Sequence, residues 1–260
     1  MTNAAGCSQE SVAGSVDIYD PAFVKGVFDR CSRRYINFSY VCSAGFTERW
    51  RVQCVGALPP LADRARGYDL MAGTGEAWPH LLRRFPDIET ITAVDISTGM
   101  HRLAMERLHK ERAGRISFIE DNVFDSNLAS ESADFVVSTF GLKTFNAEQQ
   151  AALAQLVARV LKPGGVFSFV EASDPRGWSL RSLYLFHLKG VLPLIERTLL
   201  RGAQDFAMIG AYCTNFGDCG GFAKALRAHG LDAREQRYFY GCATGVSGRK
   251  PVNAASASAG

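Results

Sequence analysis

The sequence predicts an α/β fold, a mostly parallel sheet covered by helices on both faces. Three observations predict it. Between residues 67 and 170, short β-branched or apolar segments alternate with longer segments of helical period. A glycine turn, Ala72-Gly73-Thr74-Gly75, joins the first of these strands to the helix after it. Asp95 closes the second strand, twenty residues beyond Gly75. In sheets of this kind ligands bind outside the carboxyl ends of the strands, so a site is expected at Gly73, Asp95, Asp121 and from Ser138 onward.

Taken in order, residues 16–60 read as helices. Phe23, Val24, Val27 and Phe28 form one apolar stripe, and Tyr35, Phe38 and Tyr40 an aromatic cluster, as in a cap or lid over strand ends. Residues 67–71 (GYDLM) are a strand and 76–84 a helix with Leu81, Leu82 and Phe85 on its apolar side. Residues 90–94 (TITAV) are the second strand. Residues 98–112 are a helix through Met100, Leu103, Ala104 and Leu108. Residues 116–120 (ISFIE) and 134–138 (DFVVS) are the third and fourth strands. Residues 149–161 form a helix through Leu153, Leu156, Val157 and Val160, which Lys162-Pro163-Gly164-Gly165 is expected to stop. Residues 166–170 (VFSFV) are the fifth strand. The core is expected over 61–250, with an insertion beside the site near 176–215. Residues 1–15 read as a disordered lead and 251–260, rich in Ala and Ser, as a flexible tail.

Composition narrows the function. The chain has 260 residues, 47% of them hydrophobic, which is ample for a core. Lys+Arg 29 minus Asp+Glu 26 gives +3, which does not point to a polyanion, and no nucleic-acid partner is expected. The seven cysteines include no C-x-x-C pair, so neither a disulfide scaffold nor a zinc knuckle is indicated, and they read as small buried residues of a reducing, cytoplasmic compartment. No metal triad is visible. The N-terminus has no basic start or apolar run of a secretory signal. Residues 178–195, the most apolar stretch, are interrupted by Arg181, His187 and Lys189, too polar for a membrane span.

The glycine turn lacks the third glycine of a nicotinamide fingerprint, since Trp78 stands in its place, and it lacks the Lys-Ser/Thr of a phosphate loop. A nucleoside without phosphates fits better, with Asp95 on the ribose hydroxyls. Glu76 at the loop exit would repel phosphate and suit a cationic ligand. Its other reading is a solvated first-turn acid favoured by the helix dipole.

These motifs resemble those of class I S-adenosylmethionine-dependent methyltransferases. Asp69-Leu70-Met71-Ala72-Gly73-Thr74-Gly75-Glu76 is similar to their first motif, Val94-Asp95-Ile96-Ser97-x-x-Met100 to their ribose-binding strand end, and Leu161-Lys162-Pro163-Gly164-Gly165 to the signature before strand five. Within the class the chain resembles the UbiE/Coq5 group, which C-methylates ubiquinone and menaquinone precursors. The resemblance is carried by Val27-Phe28-Asp29, Tyr35, Arg49-Trp50, Ser138 to Phe145, Glu171-Ala172-Ser173-Asp174-Pro175 and Tyr184-Leu185-Phe186-His187, and it runs over roughly residues 23–250. It implies a Rossmann-like seven-stranded sheet with an N-terminal helical lid, S-adenosyl-L-methionine as cofactor, and a quinone-like or aromatic acceptor methylated at ring carbon. It places Asp69, Ala72, Gly73, Thr74, Gly75, Asp95, Ile96, Met100, Asp121, Asn122, Val123 and Ser138 at the cofactor.

For the acceptor, Lys143 is expected to hold an oxyanion, His187 to serve as general base and Tyr35, with Tyr184, to supply aromatic walls or hydrogen bonds. The group has arginine and asparagine where this chain has Lys143 and Thr144, and lysine keeps the charge without the planar fork. That departure opens a second reading, O- or N-methylation of a specialised metabolite. A third is a non-methylating member of the fold. His80, His101, His109 and His229 read as surface helix residues. A peripheral membrane contact through Leu180, Leu183, Tyr184, Phe186 and Leu188, and a homodimer, are further expectations.

Overall fold

The computed structural model describes residues 17–111, 114–199 and 207–252, without the side chains of 33–38, 41–42, 109–111, 196–199 and 207. The expected lead and most of the expected tail lie outside the described residues.

All five strands read from the sequence are present: β1 (Arg66–Leu70), β2 (Thr90–Asp95), β3 (Ile116–Glu120), β4 (Ala133–Thr139) and β5 (Leu161–Ala172). Two more, β6 (Asp232–Tyr238) and β7 (Ala243–Arg249), complete a seven-stranded sheet of order β3-β2-β1-β4-β5-β7-β6. The first five strands are parallel, and β7 runs antiparallel between β5 and β6. The strand order reverses between β1 and β4, which opens the crevice where ligands bind in such sheets.

Successive residues of the central strands alternate between two cores. Val94, Val136, Phe167 and Phe169 pack on one side with α5 (Ala147–Val160) and α9 (Gly220–Ala228). Ala93, Phe135, Val137 and Val170 pack on the other with α2 (Phe46–Gly56), α3 (Trp78–Arg84) and α4 (Thr98–Glu111). Helix α1 (Pro21–Cys42) lies against the start of α4. There the Asp29 carboxylate accepts from Ser97 Oγ at 2.7 Å and Gly99 N at 2.8 Å. The remaining helices, α6 (Arg181–Phe186), α7 (Leu192–Leu199) and α8 (Ala207–Phe216), fall in and just beyond the expected insertion.

Three boundaries differ from the sequence reading. The helix expected from 76 begins at Trp78, with Pro79 in its first turn, where a missing N–H costs nothing. Helix α5 starts at Ala147, two residues early, because Asn146 and Gln149 form a reciprocal capping box. Lys162-Pro163-Gly164-Gly165 does not end that helix but opens β5. Leu161 pairs with Ala133, the register then shifts, and Gly164 at φ +82° carries the bulge.

Cys31, Cys54, Cys213, Cys219 and Cys242 are free and buried, as the sequence suggested for cysteines. No helix among the described residues is long and apolar enough to cross a membrane.

Candidate active site

Two adjoining cavities occupy the carboxyl end of the sheet. The first is a cleft built from the segments that leave β1 to β4. Met71, Ala72 and Gly73 follow β1; Asp95 ends β2 and Ile96 follows it; Asp121, Asn122 and Val123 follow β3; Thr139 ends β4, and Phe140 and Gly141 follow it. Tyr19, Pro21, Val24 and Phe28 line it from the N-terminal segment.

The backbone here is locally forced. Gly73 sits at φ +58°, and a Cβ added there would meet no atom within 4 Å, so the position opens on empty space. Met71 and Phe140, the first residues beyond β1 and β4, also take left-handed backbone, at φ 52° and 67°. For such residues this costs on the order of 1–3 kcal/mol each. Asp95 fixes the turn: its carboxylate accepts from Gly73 N at 2.8 Å and Ser97 N at 2.9 Å. Burial pushes its pKa up to about 6 against those backbone bonds.

Behind the cleft, Trp78 occupies the place of the missing third glycine. A Cβ on Gly75 would stand 2.3 Å from its ring, so the second glycine exists to seat this indole. Trp78 Nε1 donates to Asp69 at 2.8 Å. Burial raises the Asp69 pKa to about 7, and its other oxygen has no partner. The Arg51 guanidinium, from α2, donates to Glu76 Oε2 at 2.7 Å and lies 5.1 Å over the Phe140 ring. Both Arg51 and Glu76 line the cleft, and the Glu76 side chain is mostly buried, not a solvated first-turn acid.

The second cavity, of about 380 Å³, meets the first at Phe28 and Phe140, which line both. Its walls are largely apolar and include Val27, Trp50, Leu188, Leu192 and Phe239, with the thiols of Cys31, Cys213 and Cys242. Lys143 and His187 are its only cationic or imidazole groups among the described lining residues. Lys143 is buried and paired: its Nζ donates to Glu171 Oε1 and to Phe140 O, both at 2.8 Å, and its backbone N to Glu171 Oε2 at 2.9 Å. Tyr184 donates to Cys242 O at 3.2 Å, and burial drives its phenol far above the ordinary value, which leaves it a wall and not a base.

The sheet, the crevice and a cleft at the strand ends joined to an apolar pocket all agree with one family model, described as the ubiE/COQ5 methyltransferase family, which matches residues 16–249. The chain belongs to the ubiE/COQ5 methyltransferase family. It is 33% identical over 177 residues to the ubiquinone/menaquinone biosynthesis C-methyltransferase UbiE of Syntrophotalea carbinolica, covering 68% of this chain and 73% of that protein. It is 30% identical over 217 residues to the demethylmenaquinone methyltransferase of Clavibacter sepedonicus, covering 84% of this chain and 85% of that one. Among solved structures, an O-methyltransferase family protein from Burkholderia thailandensis superposes with a TM-score of 0.58 at 21% identity, over 90% of this chain and 69% of that one, a likeness of fold.

In this ubiE/COQ5 member, Ala72, Gly73, Asp95, Ile96, Met100, Asp121, Asn122 and Val123 are brought together in the lining of the cleft. Asp69, Thr74, Gly75 and Ser138 are not. Asp69 is buried beneath Trp78, from which it accepts, and Ser138 is buried within β4, its hydroxyl without a hydrogen-bond partner. Thr74 is buried, and its carbonyl accepts from Arg107. Lys143 and His187 both reach the second cavity. Tyr35 falls within α1, but its side chain lies outside the described residues. His80 is a correction: it is buried and hydrogen-bonded to Glu48 at 2.8 Å, because α2 packs over α3 there. His229 is exposed, His101 is partly buried against Phe118 and Glu120, and the His109 side chain lies outside the described residues. Sequence reasoning missed Arg51, Glu171 and Phe140 as working parts of the site. Arg51 directly follows the Arg49-Trp50 pair, but only the fold brings it to Glu76.

Proposed function

We propose that the chain transfers the methyl group of S-adenosyl-L-methionine to a ring carbon of a quinone-like or phenolic acceptor. The observation that carries this reading is the apolar cavity joined to the nucleoside cleft at Phe28 and Phe140, with one ammonium and one imidazole in its wall. The cleft suits the cofactor on its own chemistry. Gly73 leaves open space for close backbone approach, Asp95 faces hydroxyls, and the Arg51–Glu76 pair offers both charges that an amino-acid zwitterion needs. Ile96, Asp121 and Asn122, which line the same cleft, would hold the adenine. Helix α1 and Tyr19 serve as a lid.

Bound S-adenosyl-L-methionine supplies an electrophilic sulfonium methyl. The protein's work is alignment and proton control. A ring carbon becomes nucleophilic when a neighbouring hydroxyl loses its proton, and His187 is placed to take it. The Lys143 ammonium, paired with Glu171 in the cavity wall, stabilises the oxyanion. The apolar walls exclude water from the methyl path.

The test is incubation of the purified chain with methyl-labelled cofactor and a short-chain demethylated quinol, followed by NMR of the product. A new carbon–methyl bond is expected. A methyl on oxygen or nitrogen supports the second reading, and absence of any transfer to quinols and phenols overturns both.

A further inference from the structure

Helix α4 begins at Thr98, just past the Asp95 that ends β2, and the first N–H groups of a helix need acceptors from outside it. Ser97 supplies one, since its Oγ accepts from Met100 N at 3.1 Å. The Gly99 N–H is satisfied from another helix. It donates at 2.8 Å to Asp29 Oδ1 of α1, and Ser97 Oγ donates to the same oxygen at 2.7 Å. Lys25, one turn earlier in α1, donates at 2.7 Å to Asp29 Oδ2 and at 2.7 Å to Thr98 Oγ1. Helix α1 therefore caps α4 across space, from 70 residues away in sequence.

The seat is shaped as well as bonded. A Cβ on Gly99 would stand 2.6 Å from Ser32 Oγ and 3.0 Å from the Asp29 carbonyl oxygen. Ser32 is buried in this contact. Glycine is a poor helix former, yet here the missing side chain lets α1 lie close enough for Asp29 to reach.

The seat stands next to the cofactor cleft. The Ser97 N–H donates to Asp95 at 2.9 Å while its hydroxyl donates to Asp29, so one residue bridges the two carboxylates. Around Asp29, Val24 and Phe28 line the cleft, and Val27, Phe28 and Cys31 line the apolar cavity. Asp29 thus registers against Asp95 a wall that serves both cavities.

We propose that Asp29 is a positioning residue for S-adenosyl-L-methionine: by capping α4 it seats α1, and α1 in its seat closes Val24 and Phe28 over the nucleoside. Asp29 itself touches no reacting atom. A chain whose α1 is seated only part of the time binds with an affinity lowered by that fraction. The proposal deepens the cofactor reading above and rests on it, in particular on the ribose at Asp95.

The experiment is calorimetric titration of the full chain with S-adenosyl-L-methionine, with a melt of each variant alongside. Asp29→Ala removes the acceptor and should weaken binding about tenfold or more. Asp29→Asn keeps an oxygen for Gly99 N and Ser97 Oγ. It loses only the ion pair with Lys25, whose members are 32 and 37% exposed, and should stay within about threefold of wild type. Gly99→Ala approaches the seat from the other side. Alanine is the better helix former, so a role confined to the stability of α4 predicts a raised melting temperature and unchanged binding. The seat predicts binding weakened about fivefold or more. Both changes unseat the same helix, so Asp29→Ala/Gly99→Ala should lose little more than the larger single loss. Asp29→Ala that binds as wild type overturns the proposal. So does Asp29→Asn that loses as much as Asp29→Ala, or Gly99→Ala with unchanged affinity. Asp95→Asn reads the cofactor placement separately. Weaker binding there with no loss in Asp29→Ala leaves the placement standing and sinks the positioning role alone. Unchanged binding in Asp95→Asn overturns the placement itself, and the positioning role with it.

Discussion

Breaking the Lys143–Glu171 pair is the sharpest test of how the acceptor cavity is built. Glu171 is fully buried and accepts three bonds, from Lys143 Nζ at 2.8 Å, Lys143 N at 2.9 Å and Ala172 N at 2.7 Å. Lys143 is only 6% exposed. Removing one member of such a pair leaves an uncompensated charge in low dielectric, at about 3–5 kcal/mol. Lys143→Met should fall at the lower end, about 3 kcal/mol, because Glu171 keeps its two backbone donors. Glu171→Gln should cost a similar amount, since its amide oxygen still accepts while the charge balance is lost. Lys143→Met/Glu171→Gln carries no orphan charge and should cost no more than about 4 kcal/mol, a coupling of about 2 kcal/mol or more. For a chain of this size each single change corresponds to roughly 6–12 °C in Tm. Equilibrium urea unfolding at pH 7.5, followed by circular dichroism, closes the cycle. If the single costs simply add in the double variant, the two groups are independent and the reading of them as one buried ion pair is wrong. The same Lys143→Met protein should bind S-adenosyl-L-methionine with unchanged affinity while its kcat falls.

Three further outcomes follow from the cleft. Gly73→Val puts a side chain into the open space the cofactor needs, so calorimetric affinity should drop at least tenfold, with about 1–2 kcal/mol lost from the left-handed backbone. Asp95→Asn should weaken cofactor binding and also lower stability by roughly 1–3 kcal/mol, because an amide NH₂ must face the Gly73 or Ser97 N–H, and a melt unchanged from wild type would contradict this. Burial raises the folded pKa of Asp69 to about 7 and of Asp95 to about 6, from 3.8. The folded state therefore binds these protons more tightly than the unfolded one. Their contribution to stability is fully present below about pH 4 and is lost as pH rises through 6 and 7. Asp69→Asn should flatten the Tm profile between pH 5 and 8 relative to wild type, and two parallel profiles would place the buried charge elsewhere.

The parallel strands were legible because each is a short apolar or β-branched run with a turn at its end, and that pattern is local. Strand β7 was not. Its sequence, ATGVSGR, has weak strand propensity, and its glycines answer to neighbours far away in sequence: a Cβ on Gly248 would stand 1.6 Å from Asp232 O. The cleft was legible wherever a residue's role follows from standing at a strand end, as with Gly73, Asp95 and Asn122. It was not legible where the direction of a side chain decides. Ser138 and Thr139 are consecutive, yet Thr139 lines the cleft and Ser138 is buried without lining it. His80 looked like a surface residue because nothing in its own helix announces that α2 covers it.

The sequence by itself determined the α/β class, the place of the crevice, the nucleoside character of the ligand and the family, because periodicity, a glycine turn and an acid at a strand end are encoded within a few residues of one another. Tertiary structure alone decided which charges meet. It set Arg51 on Glu76 across 25 residues and Lys143 on Glu171 across 28. It also turned one side of α6 toward the cavity and left the other in solvent. Those pairings depend on how helices cross the sheet, and the distances that result are far shorter in space than anything the order of residues records.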